Sequence, residues 1–345
     1  MIGKFAFLVF AMAVTAGSNA AAAEVSPAAA PAPAAQAFAV EILNPAALAL
    51  IEPGARISVR GEGYKWTEGP LWIDDGGYLL FSDIPNNTIV KYQPGQGTSV
   101  YLRNSGATGL YPGDYGQGSN GLLLNERGQL VLLQQGDRRV AAMAAPLSAP
   151  AANFITLAGD YQGKRLNSPN DGVFHSDGSL YFTDPPYGLD KGLDDQRKEL
   201  PMQGVYRLSA QGDLVLLDAS VTFPNGIALS VDEKTLYVAV SDPQQPVWLA
   251  YDIVADGSLA NKRIFYDASD LIGVAGEQGV PDGMAVHSSG NIFATGPGGV
   301  WLFNPQGEVL AKIRTGKLSA NCGLSADEKR LFIAAHDTLL EVPLH

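Results

Sequence analysis

From about Phe38 onward, this chain is a succession of short alternating apolar and polar runs broken by polar turns. Such runs, rich in β-branched and aromatic side chains, read as strands. One phrase recurs six times. It begins Thr67-Glu68-Gly69-Pro70-Leu71-Trp72, Ser119-Asn120-Gly121-Leu122, Asn170-Asp171-Gly172-Val173, Pro224-Asn225-Gly226-Ile227, Pro281-Asp282-Gly283-Met284 and Asn321-Cys322-Gly323-Leu324. The glycines at 69, 121, 172, 226, 283 and 323 lie 52, 51, 54, 57 and 40 residues apart. Each glycine leads a short strand, then a polar turn such as Ser176-Asp177-Gly178 or Ala326-Asp327-Glu328-Lys329, then a second strand such as Leu180-Tyr181-Phe182 or Leu331-Phe332-Ile333-Ala334.

A repeat of this length holding several strands is the signature of a β-propeller blade, so the expectation is an all-β, six-bladed β-propeller. A β-sandwich or solenoid would not keep the same turn chemistry at a regular interval. The last unit runs only from Asn321 to His345, so Ile57-Ser58-Val59-Arg60 is expected to supply its missing outer strand.

The innermost strand of each blade lines a central channel, and the residue before each glycine comes to one mouth. These residues are Glu68, Asn120, Asp171, Asn225, Asp282 and Cys322; blade three carries Asn170 beside Asp171, which leaves its register open by one residue. A ring of carboxylate and amide oxygens suits a hard cation. Ca²⁺ fits an all-oxygen cage, whereas Mg²⁺ needs a tighter octahedron and Zn²⁺ normally recruits His or Cys. Asn-Gly and Asp-Gly are also ordinary turn dipeptides, but turn chemistry does not explain Glu68.

Composition narrows the field. The net charge of −12 argues against a nucleic-acid partner and against an anionic membrane surface. The single cysteine, Cys322, excludes an intramolecular disulfide and is expected to be inert packing. Residues 1–23 read as a signal peptide, with Lys4 ahead of an apolar run and small residues at the cleavage region. Residues 24–37 are an Ala/Pro-rich spacer expected to be disordered, and residues 38–345 form the propeller domain. The expected location is secreted and periplasmic, with no membrane attachment after cleavage.

Glu68-Gly69-Pro70-Leu71-Trp72, Asn167-Ser168-Pro169-Asn170-Asp171-Gly172, Phe182-Thr183-Asp184-Pro185-Pro186-Tyr187-Gly188, Phe223-Pro224-Asn225-Gly226-Ile227-Ala228 and Pro281-Asp282-Gly283-Met284 together resemble the gluconolactonase family. That family includes regucalcin, or senescence marker protein 30, and more distantly squid-type diisopropylfluorophosphatase. The resemblance runs from about Gly61 to Leu344. It implies one divalent metal at the channel mouth, Ca²⁺ first, with Mg²⁺, Mn²⁺ or Zn²⁺ as alternatives. The implied ligands are Glu68, Asn170, Asn225 and Asp282. Asn170 also falls on a substrate-contacting asparagine, Asp282 on the acid/base carboxylate, and Asn120 on a polar position near substrate. Regucalcin has an arginine two residues before the blade-three asparagine; here Ser168 stands there, and the nearest arginine is Arg165. Glu199 corresponds to a substrate-contacting glutamate of that relative. Asp171, Tyr187 in the Pro185-Pro186-Tyr187-Gly188 loop, and His336 at the end of a blade-six strand complete the candidate pocket.

The chemistry these residues suggest is lactone opening. A metal polarises the carbonyl, and a carboxylate deprotonates the attacking water. The expected partner is a small lactone such as glucono-1,5-lactone. The rival expectations are another lactone, an ester or a phosphotriester in the same pocket, or a non-catalytic propeller that the metal only ties together. Gln117-Gly118-Ser119-Asn120-Gly121 lacks the first glycine of a serine-hydrolase elbow, and the chain has no P-loop or dinucleotide fingerprint.

Overall fold

The structure, a computed structural model, describes residues 38–111 and 117–345. The expected leader and spacer, 1–23 and 24–37, lie outside the described residues. Six antiparallel sheets follow one another around a central axis. Blade one comprises Thr67–Ile73, Tyr78–Asp83, Thr88–Gln93 and Gly97–Arg103, listed from the axis outward. Blade two comprises Ser119–Leu124, Leu130–Gln134, Arg139–Met143 and Phe154–Ala158. Blade three comprises Gly172–Phe174, Leu180–Asp184, Gly204–Leu208 and Leu214–Asp218. Blade four comprises Pro224–Leu229, Thr235–Val240, Val247–Ile253 and Leu259–Asp267. Blade five comprises Met284–Val286, Ile292–Gly296, Gly299–Phe303 and Val309–Arg314. Blade six takes Ser319–Leu324, Arg330–Ala335 and Thr338–Pro343 from the C-terminus, and the early strand Ser58–Glu62 as its outer edge.

The ring therefore closes as the short last repeat required. Ser58 pairs with Glu341 and Glu62 with Thr338. Arg60 reinforces this edge through two bonds to the Glu341 carboxylate, at 3.0 and 3.1 Å. The seam between blades six and one is also packed, with Trp72 stacked on Phe332 at 5.6 Å. Phe332 is fully buried, so removing its ring would cost about 3–5 kcal/mol. One strand was not anticipated: Ala39–Ile42 pairs with Val309–Arg314 and gives blade five a fifth strand. Arg314 Nε donates to Glu41 Oε1 at 3.0 Å and holds that edge.

The recurring glycines are not turn residues. Glu68-Gly69, Asn120-Gly121 and Asn225-Gly226 lie inside the innermost strands, at register shifts in the ladder. Their reason is close approach between blades. A methyl on Gly226 would run into the backbone of Asp282 and Gly283, one on Gly69 into the Asn120 carbonyl, and one on Gly323 into the Pro70 carbonyl. Hydroxyls then sew neighbouring inner strands together. Ser82 Oγ donates to Asn120 O at 2.8 Å, Thr183 Oγ1 to Asn225 O at 2.7 Å, Ser241 Oγ to Pro281 O at 2.6 Å and Thr295 Oγ1 to Ala320 O at 3.0 Å.

Candidate active site

The strand phrases bring their polar side chains to one end of the channel, where the blade-to-blade connections also run. The bulges at Glu68-Gly69, Asn120-Gly121 and Asn225-Gly226 re-aim side chains that a regular ladder would send into the sheet face. Gly69 makes its bulge possible with φ +53°, the left-handed region. Glu68, Asn120, Asn170, Asp171 and Asn225 are buried, and Asp282 is half-buried with its Oδ1 out of solvent.

The three carboxyls of this ring feel one another. Burial raises the Glu68 pKa, and the Asp171 charge adds to it. Burial likewise raises Asp282 well above the usual carboxylate range, with Glu68 and Asp171 both contributing. Burial pushes Asp171 up to about 6, while the N–H groups of Gly172 and Ile227 and the Asn321 side chain pull it down. No cationic side chain is among the principal influences on these carboxyls.

Three buried oxygens in the ring, Asn120 Oδ1, Asn225 Oδ1 and Asp282 Oδ1, have no hydrogen-bond partner in the protein. Burying an acceptor unpaired costs about 1–3 kcal/mol. The Asn225 amide is deliberately oriented: its Nδ2 donates to Ser241 Oγ at 2.9 Å, and Ser241 in turn donates to Pro281 O. That arrangement fixes which end of the amide faces the axis. Oxygen acceptors without donors, flanked by carboxylates without counterions, fit a hard divalent cation. Among the described residues, no three His, Cys, Asp and Glu side chains gather closely enough to hold an ion alone. Amide oxygens have to complete any shell.

The description SMP-30/Gluconolactonase/LRE-like region matches residues 66–337. The chain belongs to this family. Over 298 residues it is 36% identical to the gluconolactonase of Zymomonas mobilis, covering 85% of this chain and 83% of that one. It is 25% identical over 263 residues to regucalcin of Xenopus laevis, covering 75% and 78%. A solved gluconolactonase from Xanthomonas campestris superposes with a TM-score of 0.75 at 29% identity, covering 89% of this chain and 95% of that one. Lactone hydrolysis is the activity that family membership and these gluconolactonase relatives support.

The family resemblance named further residues, and they divide into two groups. Tyr187 reaches the ring. Its phenol pKa is raised by burial, with Ser241, Asp282 and Asn225 beside the hydroxyl, although 39% of the residue's surface stays exposed. Asn170 is fixed by its backbone, its N–H donating to Thr183 O at 2.9 Å and its carbonyl accepting from Gly121 N at 2.8 Å. His336 stands on the rim, its side chain 48% exposed and edge-on to Trp66 at 5.3 Å. Arg165 and Glu199 lie together. The Arg165 N–H donates to Glu199 Oε2 at 2.8 Å, and its guanidinium lies over the Tyr111 ring at 3.6 Å.

Blade six corrects the expectation drawn from the residue before the glycine. Cys322 turns into the core between blades, 3% exposed, with its thiol donating to Phe293 O at 3.4 Å. Asn321 faces the axis instead, its Nδ2 donating to Asp171 Oδ2 at 3.4 Å. The ladder slips between Ser319 and Asn321, one residue earlier than the Asn-Gly phrase suggests.

Sequence reasoning also missed the residues that hold the site from behind. Asp184 is fully buried and accepts from Asn167 N at 2.7 Å and Ser168 N at 2.8 Å, which sets the turn leading to Asn170. Asp83 does the same for Lys65 N and Trp66 N, ahead of Glu68. Buried Arg138 donates to Leu166 O at 2.7 Å and Asn167 O at 3.0 Å from the other side of the turn. The signal was present: Phe81-Ser82-Asp83 and Phe182-Thr183-Asp184 are a second repeat, ending the second strand of blades one and three.

Proposed function

We propose that this protein is a cation-dependent hydrolase that opens a six-membered sugar lactone of the glucono-1,5-lactone type. The observation that carries the reading is the pair of unpaired oxygens at Asn225 and Asp282, with the Glu68 carboxyl acting on Asp282. Glu68, Asn170, Asn225 and Asp282 would hold the cation, with Ca²⁺ the best chemical match to an all-oxygen set. Bound there, it would supply Lewis-acid polarisation of the lactone carbonyl.

The chain's own residues do the rest. Asp282 accepts a proton from the attacking water as the water oxygen bonds to the carbonyl carbon. It then returns the proton to the ring oxygen as the carbon–oxygen bond of the ring breaks. Both steps need a carboxyl at the reacting atoms. Asn120, whose oxygen is unpaired, and the Tyr187 hydroxyl would hydrogen-bond substrate hydroxyls, and Asn225 keeps its oxygen inward through Ser241. Arg165 and Glu199, joined through the Arg165 N–H, would contact substrate away from the reacting bond. Export through the leader at 1–23, with action in the periplasm, is part of the same proposal, and N-terminal sequencing of the exported protein tests it.

Hydrolysis releases acid, so base uptake at constant pH measures it directly. The expected result is turnover of glucono-1,5-lactone that EDTA abolishes and Ca²⁺ restores. Turnover of an ester or phosphotriester but no lactone would move the substrate class. Cation binding without any turnover would favour a propeller in which the ion only ties the blades.

A further inference from the structure

Two aromatic pairs stand at the mouth, placed alike but packed differently. Trp66 lies two residues before Glu68 at the entry to blade one, and it meets His336 from the loop joining the second and third strands of blade six, at 5.3 Å and 88°. Phe223 lies two residues before Asn225 at the entry to blade four, and it stacks on Tyr187 from the equivalent loop of blade three, at 5.9 Å and 21°. The equivalent entry positions of the other blades are Gly118, Ser168, Val280 and Ser319, none aromatic. The two seams, six to one and three to four, are three blades apart. In a ring of six blades, three blades are half a turn. The pairs therefore face each other across the axis.

One of the four is costly to build. Phe223 has φ +47°, the left-handed region that a bulky aromatic avoids, whereas His336, φ +54°, sits in a strand-joining turn where Asn87 and Arg138 of other blades are left-handed too. Local bonds hold each there. The Phe223 N–H donates to Gln203 Oε1 at 2.9 Å, and its carbonyl accepts from Ser241 N at 3.0 Å. The His336 carbonyl accepts from Thr67 N at 2.7 Å. Strain retained at Phe223, beside a polar ring, points to a use for its side chain. All four side chains also keep exposed surface at the mouth, so a ligand could still bury them.

We infer that Trp66–His336 and Tyr187–Phe223 are the two walls of a slot, and that the slot selects a single flat lactone ring held by its C–H faces. The inference rests on the lactonase reading above and narrows it. A sugar lactone has an ester flattened into its ring, apolar C–H faces and hydroxyl edges. Aromatic walls take the faces. The hydroxyl edges then point along the open axis of the slot, toward the polar ring.

Two measurements test this: steady-state hydrolysis of glucono-1,5-lactone, and calorimetric binding of its non-hydrolysable lactam. Phe223→Leu keeps bulk but removes the ring. It should raise both KM and the lactam Kd roughly 3- to 10-fold, with kcat within about twofold of wild type. Phe223→Tyr restores a ring and should restore both constants. Should Phe223→Leu fail to fold, Tyr187→Phe, which loses only the hydroxyl, is compared with Tyr187→Leu, which loses the ring as well: the slot requires the further rise in KM and Kd in Tyr187→Leu, and equal values in the two variants overturn it. Unchanged KM and Kd in the leucine variant, or an equal loss in Phe223→Tyr, overturns the slot. A wild-type protein that binds the lactam but hydrolyses no lactone defeats the functional reading alone, and the slot then stands or falls on the lactam Kd. Neither hydrolysis nor lactam binding by wild type defeats both.

Discussion

The same six inner strands line both ends of the channel, yet the two ends are chemically opposite. At the mouth, the strands present carboxyls and amides, with three oxygens lacking donors. At the far end, a cavity of about 420 Å³ is walled by Leu71, Leu122, Val173, Leu229, Val286 and Leu324. Asp171 and Asn321 mark the border, since they line the head of that cavity and also bond to each other. Closing a propeller needs only the apolar end. Aliphatic side chains there bury surface at about 25 cal/mol per Å² with no partner to find. The polar end is a liability for folding, because each unpaired oxygen costs about 1–3 kcal/mol. A polar end maintained in so tightly packed a ring, with Ser241 dedicated to orienting Asn225, is explained by a ligand and not by closure.

The largest effect should come from the proton acceptor. Asp282→Asn keeps an oxygen for a cation but cannot take a proton, so kcat at saturating cation should fall about 10²- to 10⁴-fold, with cation affinity weakened no more than in Glu68→Gln. Near-normal kcat in the cation-saturated variant would place the base elsewhere, with Asp171 or His336 the next residues to test.

Next comes the packing beneath the mouth. Gly226→Ala drives a methyl into the backbone of Asp282 and Gly283, where no side chain can swing aside. It should cost about 1–3 kcal/mol of stability and lower activity as well. Denaturant melts beside rate measurements would show whether the two losses travel together.

Proton linkage gives a smaller, signed effect. Asp171, Glu68 and Asp282 have folded-state pKa values raised above their unfolded values near 4. Their contribution to stability in the cation-free protein is therefore full below about pH 4 and is lost as pH rises through their folded values, about 6 for Asp171. A cation favours the deprotonated forms. The Tm increase on adding Ca²⁺ should be larger at pH 8 than at pH 5. Equal increases at both pH values would separate the ring carboxyls from cation binding.

The smallest effect belongs to the apolar end. Val173→Thr adds a hydroxyl to the cavity wall without changing its shape, and kcat should stay within about twofold of wild type. A large loss of kcat would mean that the two ends are coupled.

Much of this arrangement is legible in the sequence, and what escapes has identifiable causes. The repeat of Gly69, Gly121, Gly172, Gly226, Gly283 and Gly323 exposes the blades because close approach between inner strands tolerates nothing larger at most of these positions. The closing strand at Ser58–Glu62 follows from counting strands in the last repeat. The extra strand Ala39–Ile42 does not, because no earlier blade needs a fifth member. Cys322 was misplaced at the axis because a one-residue slip in the ladder reverses which side chain faces inward. Arg138 escaped because it acts on backbone groups distant in sequence, a role that composition and spacing do not mark, and Asp184 is marked only by the short repeat it shares with Asp83.

The most direct test is calorimetric titration of Ca²⁺ into metal-stripped wild-type protein and Glu68→Gln, with glucono-1,5-lactone hydrolysis followed on the same samples. One-to-one binding should appear in the wild type together with turnover. Both should weaken in Glu68→Gln, because a charged oxygen ligand becomes neutral. Full lactone turnover by protein that binds no divalent cation, or wild-type affinity in Glu68→Gln, would contradict a cation at the mouth of the ring.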